Sequence, residues 1–182
     1  MSVPGKVRII AGNWRGRKLE VIDSPGLRPS PDRIRETLFN WLQQDIVAAR
    51  CLDLFAGSGA IGFEALSRGA REVVMIESDK NLVENLKRQA EKLNSTNHII
   101  QQAEAIQWLT QQKNAFDIIF LDPPFAEGYI EKCCAMIREQ SLLADRGMIY
   151  IESEKDLATP AGWTIKKQTR AGEVKSALLE LD

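Results

Sequence analysis

The tetrapeptide Asp122-Pro123-Pro124-Phe125 directly follows a strongly apolar stretch, Phe116 to Leu121. Two successive prolines fix φ and remove backbone donors, so this loop is stiff and its carbonyls are left as acceptors. An exocyclic amine on a nucleobase is a weak nucleophile, because its lone pair is delocalised into the ring. The Asp122 carboxylate and the Pro123 carbonyl can accept its two N–H bonds and hold the lone pair toward an electrophilic methyl group, while Phe125 stacks on the base. Asp122, Pro123 and Phe125 are therefore the candidate catalytic residues. Little further chemistry is needed, because positioning alone can supply roughly 7–11 kcal/mol of a bimolecular barrier. The proton lost after attack goes to Asp122 or to water. The plain alternative is a rigid turn carrying a buried aromatic.

A second group lies upstream. Gly57-Ser58-Gly59-Ala60-Ile61-Gly62 has the G-x-G-x-x-G form, with Glu77 following twenty positions after Gly57. Such a loop lets backbone approach a ligand closely, and the acidic residue can accept hydrogen bonds from ribose hydroxyls. The loop alone does not separate a nicotinamide dinucleotide from S-adenosylmethionine. Asp53, four residues before Gly57, favours the latter. A carboxylate inside a buried strand is costly unless something pairs with it. The cationic amino group of S-adenosylmethionine supplies that partner, directly or through water. The same donor carries the methyl group that the Asp122 loop requires.

These residues need a scaffold that brings two strand ends together. Residues 51–55, 72–77, 98–101, 116–121 and 148–152 read as strands. Residues 59–68, 104–111 and 128–139 read as helices between them, and Asp79 can cap another carrying Leu82, Val83, Leu86, Ala90 and Leu93 on one face. Alternating strands and helices imply a mainly parallel, doubly wound α/β sheet, in which ligands bind at the carboxyl ends of the strands. The strands ending at Phe55 and Leu121 are expected to be neighbours. Residues 163–168 and 176–181 add a terminal antiparallel hairpin around Gly172, which gives seven strands. Ahead of the sheet, residues 7–11 and 18–22 flank a glycine-bounded tip and read as a small hairpin or arm. Ser30 is a candidate cap for a helix starting at Pro31, with Ile34, Leu38, Trp41, Leu42 and Ile46 at helical spacing. The expected division is a basic arm over 1–30 and the α/β domain over 31–182.

Composition narrows the class. The chain has 182 residues, 44% of them hydrophobic and 27% charged, as in ordinary globular domains. Cys51, Cys133 and Cys134 form no disulfide or zinc pattern, and His98 is the single histidine, best read as a surface or strand-edge residue. No metal is expected. No apolar run is long enough for a membrane span and no secretory signal is evident, so the protein is read as cytoplasmic, and as a monomer. Net charge is −1, yet residues 1–50 hold nine Lys/Arg against five Asp/Glu. A basic front on an acidic body suits contact with a polyanion.

The central motifs, Asp53 to Gly62, Glu77 and Asp122 to Phe125, resemble those of Rossmann-like class I methyltransferases. The segments from Arg8 to Leu19 and from Arg28 to Leu42 closely resemble the N-terminal segments of the RsmD family, whose members methylate guanine N2 in bacterial small-subunit (16S) rRNA. The likeness runs from about Arg8 to Leu181. It implies that Asp53, Phe55, Ala56, Gly57, Ser58, Gly59, Glu77, Ser78, Glu104, Ala105 and Asp122 hold S-adenosylmethionine. Within that set Glu77 takes the ribose, and Glu104-Ala105 lies where the family contacts adenine. It further implies that Arg8, Trp14, Arg15, Arg17, Lys18, Arg28, Arg33 and Arg35 face 16S rRNA in an assembled or partly assembled subunit. Trp14 could equally cover the domain, and Arg33 and Arg35 could instead reach the cofactor carboxylate. Trp41, Trp108 and Trp163 are read as packing. The competing readings are amino-methylation of DNA adenine or protein glutamine, and a non-catalytic RNA-binding assembly factor.

Overall fold

The computed structural model describes residues 5–22, 30–125 and 128–182. An antiparallel hairpin of β1 (Gly5–Arg8) and β2 (Lys18–Val21) leads to α1 (Asp32–Trp41). Then come β3 (Arg50–Asp53), α2 (Ala60–Ser67), β4 (Glu72–Glu77), α3 (Lys80–Leu93) and β5 (His98–Gln102). The chain continues through α4 (Ala105–Thr110), β6 (Phe116–Leu121), α5 (Tyr129–Glu139), β7 (Leu143–Glu154), β8 (Trp163–Ala171) and β9 (Val174–Leu181). Seven strands form one sheet in the order β5-β4-β3-β6-β7-β9-β8. The first five are parallel, and β9 runs antiparallel to both β7 and β8. This is the Rossmann-like methyltransferase architecture expected from the motifs.

The strands read as continuous apolar runs because both faces of the sheet are covered. Alternate residues divide cleanly between two cores. Cys51, Val73, Met75, Ile118, Phe120, Met148 and Tyr150 pack toward the side of α1, α2 and α3. Leu52, Val74, Ile76, Ile119, Leu121, Ile149 and Ile151 pack toward α4 and α5. The period-two alternation also sets the facing of the residues at the strand ends. Asp53, Asp122 and Glu152 continue the first set, so all three turn toward the α1–α2 face. With Leu121 paired to Ile151, Asp122 and Glu152 come side by side at neighbouring strand ends.

The hairpin is not a free arm. Ile9 and Leu19 are fully buried in the α1–α3 core, and Trp14 packs on it half-buried. Gly12 has φ +80°, and a Cβ there would collide with the Ser67 carbonyl. That close approach lets Asn13 N–H donate to the Ser67 carbonyl (2.8 Å) and Trp14 N–H to Ser67 Oγ (2.9 Å). Glu64, fully buried in α2, accepts from Ile10 N–H (2.8 Å), Ala11 N–H (3.0 Å) and Arg68 Nε (2.7 Å), with Arg35 at 3.4 Å. The hairpin tip is thereby pinned to the end of α2 remote from the glycine loop.

Three expectations for the N-terminal half and β7 need correction. α1 ends at Trp41, so Ile46 lies beyond the helix, although it is buried. Ser30 does not cap α1: Pro31 takes the N-cap position without a side-chain bond, and the Ser30 hydroxyl is used elsewhere. The fifth strand of the sheet, β7, starts at Leu143 rather than Met148, because a register shift between Phe116 and Ile118, with Arg146 at φ 61°, carries a polar stretch into the ladder. Asp79 caps α3 as expected, accepting from Asn81 N–H (2.7 Å) and Leu82 N–H (3.2 Å). Trp108 and Trp163 are buried and Trp41 half-buried. His98 lies half-buried on edge strand β5 beside Ser95.

Candidate active site

A cavity of about 1040 Å³ opens over the carboxyl ends of β3, β4, β6 and β7. Its floor is the glycine loop. Gly57 and Gly59 adopt positive φ (52° and 78°), and Gly59 starts α2 without a side-chain cap. An L side chain at Gly59 would also meet Phe63 and Leu86 within 2.7 Å. The Gly59 N–H turns back to the Ala56 carbonyl (2.7 Å), and Ala56 N–H to the Ile76 carbonyl (2.9 Å). Ser58 is buried, with Oγ 3.4 Å from Ala60 N.

Glu77, at the end of β4, is held from both sides. Its Oε2 accepts from Gly57 N–H (2.9 Å) and its Oε1 from Asp79 N–H (2.9 Å), with the Ser78 hydroxyl at 3.4 Å. A carboxylate oxygen has two acceptor sites, so the locked group still has capacity for hydroxyl donors in the cavity. Asp53 is 2% exposed and accepts from Gly62 N–H (3.0 Å). Burial lifts its carboxyl from 3.8 to about 7, and the charge of Glu77 adds to the rise. No ion pair reaches it among the described residues. Glu104 is exposed at the rim and caps α4 through Gln107 N–H (3.1 Å), while Ala105 is buried. Phe55 meets Tyr129 edge-on, with centroids 5.2 Å apart, and the Tyr129 hydroxyl lies 3.5 Å from Glu104 Oε1. Tyr129, Glu152 and the true role of Ser30 carry no signal in the residue pattern.

The Asp122 loop forms the opposite wall. Asp122 is half-buried, Pro123 buried, and Phe125 is 44% exposed at the mouth. Phe125 is therefore not a buried turn aromatic. Ser30 Oγ lies 3.1 Å from Asp122 Oδ2 and 2.8 Å from Glu152 Oε1, and the Tyr150 hydroxyl donates to that same Glu152 oxygen (2.8 Å). Burial pushes the Asp122 carboxyl well above the usual carboxylate range, and the facing Glu152 pushes it further. Glu152 is raised as well by burial, against the hydrogen bonds of Tyr150 and Ser30. A smaller cavity of about 270 Å³ lies beyond the loop and shares Pro123, Phe125 and Glu152 with the main one.

The basic residues are dispersed. Arg8, Arg15, Arg17, Lys18 and Arg33 are exposed. Arg8 pairs with Asp32 (3.4 Å) near the start of α1. Arg17 reaches the Lys92 carbonyl near the end of α3, and α3 begins at the cavity and runs about 21 Å away from it. Arg15 and Arg17 therefore belong to a surface remote from the cavity. The expectation for Arg35 is overturned. This residue is fully buried, pairs with Asp32 (2.6 Å) and Glu64 (3.4 Å), and donates to the Arg8 carbonyl (2.9 Å). Its guanidinium anchors the hairpin and is not available to RNA. Arg28 lies outside the described residues.

All three cysteines are free and buried, and burial pushes each thiol up, Cys133 to about 12. None is poised as a nucleophile. Among the described residues no His/Cys/Asp/Glu group has the arrangement of a metal site, and no helix is long and apolar enough to cross a membrane.

The chain as a whole has known relatives. The family model described as Conserved hypothetical protein 95 matches residues 7–180. The chain is 46% identical to ribosomal RNA small subunit methyltransferase D of Escherichia coli (strain K12), over 98% of this chain and 92% of that protein. It is also 46% identical to the protein of the same name from Haemophilus influenzae, over 98% and 96%. The solved structure of Escherichia coli yhhF superposes with a TM-score of 0.90 at 44% identity, covering 98% of this chain and 99% of the other. The chain belongs to the family described as Conserved hypothetical protein 95, the RsmD family that its N-terminal segments resemble.

Proposed function

We propose that this protein transfers a methyl group from S-adenosylmethionine to the exocyclic N2 amine of a guanine in 16S rRNA. The observation that carries the reading is the Asp122 corner: a half-buried carboxylate on a stiff two-proline loop, beside an exposed Phe125, at the mouth of a cavity that reaches Glu77 and the glycine loop. Family membership supports the donor and the RNA substrate.

The residues present fit S-adenosylmethionine. Glu77 offers acceptors to a ribose, and the glycine loop leaves room for close approach. Asp53 is a buried carboxyl, lining the cavity, without a cation among the described residues. When bound, this donor supplies a methyl group on a positively charged sulfur, which departs as a neutral thioether. The chain's own residues do the rest. Asp122 and the Pro123 carbonyl accept the two amine N–H bonds and turn the nitrogen lone pair outward. Phe125 stacks on the ring. As the new N–C bond forms, Asp122 takes the proton that the nitrogen loses, a task suited to a carboxyl whose affinity for protons burial has raised. The substrate in this reading is an assembled or partly assembled small subunit, and the protein acts as a cytoplasmic monomer with its basic front on RNA.

The test is radiolabelled methyl transfer to small subunits from a strain lacking the protein, with mass-spectrometric mapping of methylated guanosine. Label on guanine N2, with none on DNA or peptide, is the expected result. Label on another base or only on protein would overturn the assignment.

A further inference from the structure

Glu152 lines both cavities beside the Asp122 corner. The pairing of Leu121 with Ile151 sets it next to Asp122, facing the same way, and one hydroxyl, Ser30 Oγ, reaches both carboxylates at 3.1 and 2.8 Å. The Ser30 and Tyr150 hydroxyls both converge on Glu152 Oε1. Among the described residues no ion pair ties Asp122 or Glu152. The titratable groups facing them are Asp53 from β3 and Tyr150 from β7, while Arg35 from α1 donates to the Ser30 carbonyl (3.3 Å). Both hydroxyls use Oε1 of the buried Glu152, so its Oε2 is left as an acceptor beside Asp122 in the lining of the cavities, and a buried acceptor without a donor is costly.

The purine and pyrimidine amines differ in what lies next to them. In adenine the N6 amine sits beside the N1 lone pair, and in cytosine the N4 amine sits beside the N3 lone pair. Guanine alone among these presents its N2 amine beside an N1–H. A lone pair facing Glu152 is repelled, whereas an N–H is bound. On the footing of the amine-methylation reading, we infer that Glu152 accepts the N1–H of the target guanine while Asp122 holds its N2 amine, so that the pair selects guanine over the other base amines. Tyr150 and Ser30 fix the Glu152 rotamer for this purpose.

The test compares small subunits reconstituted with guanine or with 2-aminopurine at the target position. 2-Aminopurine keeps the N2 amine but has a lone pair at N1. The wild-type protein should favour guanine in kcat/KM by about tenfold to a hundredfold, as expected for one lost hydrogen bond that leaves two acceptors opposed. Glu152→Gln keeps the shape and supplies an N–H. It should shift the guanine to 2-aminopurine ratio toward 2-aminopurine by about tenfold or more, with S-adenosylhomocysteine affinity unchanged. A wild-type protein indifferent to the base analogue overturns the inference without any variant. Equal loss on both substrates in Glu152→Gln also overturns it, because a merely structural Glu152 does not distinguish them. Absence of wild-type transfer to guanine itself overturns the amine-methylation reading and this inference together, and that pattern is distinct from the other two.

Discussion

Lowering the pH through 7 should weaken cofactor binding, and the residue responsible should be Asp53. Burial holds this carboxyl at about 7, against the stabilising hydrogen bond from Gly62 N–H. Below about pH 7 the folded chain therefore keeps a proton on Asp53 that the unfolded chain, at 3.8, has released. Folding stability attributable to this group falls as pH rises from the ordinary carboxylate range toward about 7, then levels off. Binding of a cationic amino group has the opposite sign, since it requires the ionised form. One unit below its midpoint Asp53 is only about one-tenth ionised, so affinity should drop about tenfold, near 1.4 kcal/mol. Near pH 5 the loss should approach about a hundredfold. Calorimetric titration with S-adenosylhomocysteine between about pH 5 and 7.5, in buffers of different ionisation heat, reads both the affinity and the proton released. Asp122 and Glu152 also titrate above the usual range and line the same cavity, so the decisive comparison is between ligands. Methylthioadenosine lacks the amino acid and should show a much shallower slope, as should S-adenosylhomocysteine with Asp53→Asn. Equal slopes for the two ligands, or an unchanged slope in Asp53→Asn, would refute the pairing of Asp53 with the amino group.

Asp122→Ala should cut turnover by about a hundredfold to ten-thousandfold without lowering the melting temperature, since removing it relieves repulsion with Glu152; wild-type turnover would remove Asp122 from the chemistry. Neutralising Arg15 and Arg17 should weaken RNA binding and reduce the slope of log K against log salt by about 1.4–1.8. Because both lie away from the cavity, kcat on saturating substrate should stay unchanged, and a fall in kcat would contradict the placement. Glu64→Ala should destabilise the fold by about 3–5 kcal/mol in urea unfolding, because it removes the partner of Arg68 and the second carboxylate of the buried Arg35, and leaves two backbone donors of the hairpin without their acceptor.

The fold was largely legible because its signals are local. Continuous apolar strands, a glycine turn and an Asp cap each act within a few residues: β6 spans Phe116–Leu121 as read and Asp79 caps α3, while β8 extends to Ala171 and β9 starts at Val174, where the sequence suggested 168 and 176. The Asp122 corner was legible for the same reason, being four consecutive residues. What escaped was long-range. Ser30 looks like a helix cap in sequence, but the chain folds it against residues 92 and 122 positions away. Glu152 reads as the polar end of a strand until the β6–β7 register sets it against Asp122. Arg35 sits among basic residues in a segment expected to meet RNA. Asp32, three residues earlier, is its nearest partner (2.6 Å), but only the fold reveals that Glu64, from a helix after the glycine loop, joins the pair (3.4 Å) and that the guanidinium is fully buried. Spacing carries no trace of a partner supplied by another element.

The same long-range contacts bear on why a folded RNA, rather than a nucleoside, suits this surface. Glu64 gathers Ile10, Ala11, Arg35 and Arg68 around the middle of α2, and Ser67 clamps the hairpin tip one turn further on. The tip's Arg15 and Arg17 are thus held at the far end of helices that begin at the cofactor cavity. In the proposed reading a nucleoside meets Phe125 and the two carboxylates but no arginine of the tip, since Arg15 and Arg17 do not line the cavity. In that reading a polyanion long enough to cover α2 and α3 would engage both, each phosphate contact adding affinity without disturbing the acceptor geometry at the base. Base selection and phosphate binding, in the proposed reading, fall at opposite ends of one layer. Variants at the tip should therefore change how tightly an RNA is held, and variants at Asp122 or Glu152 which base it presents.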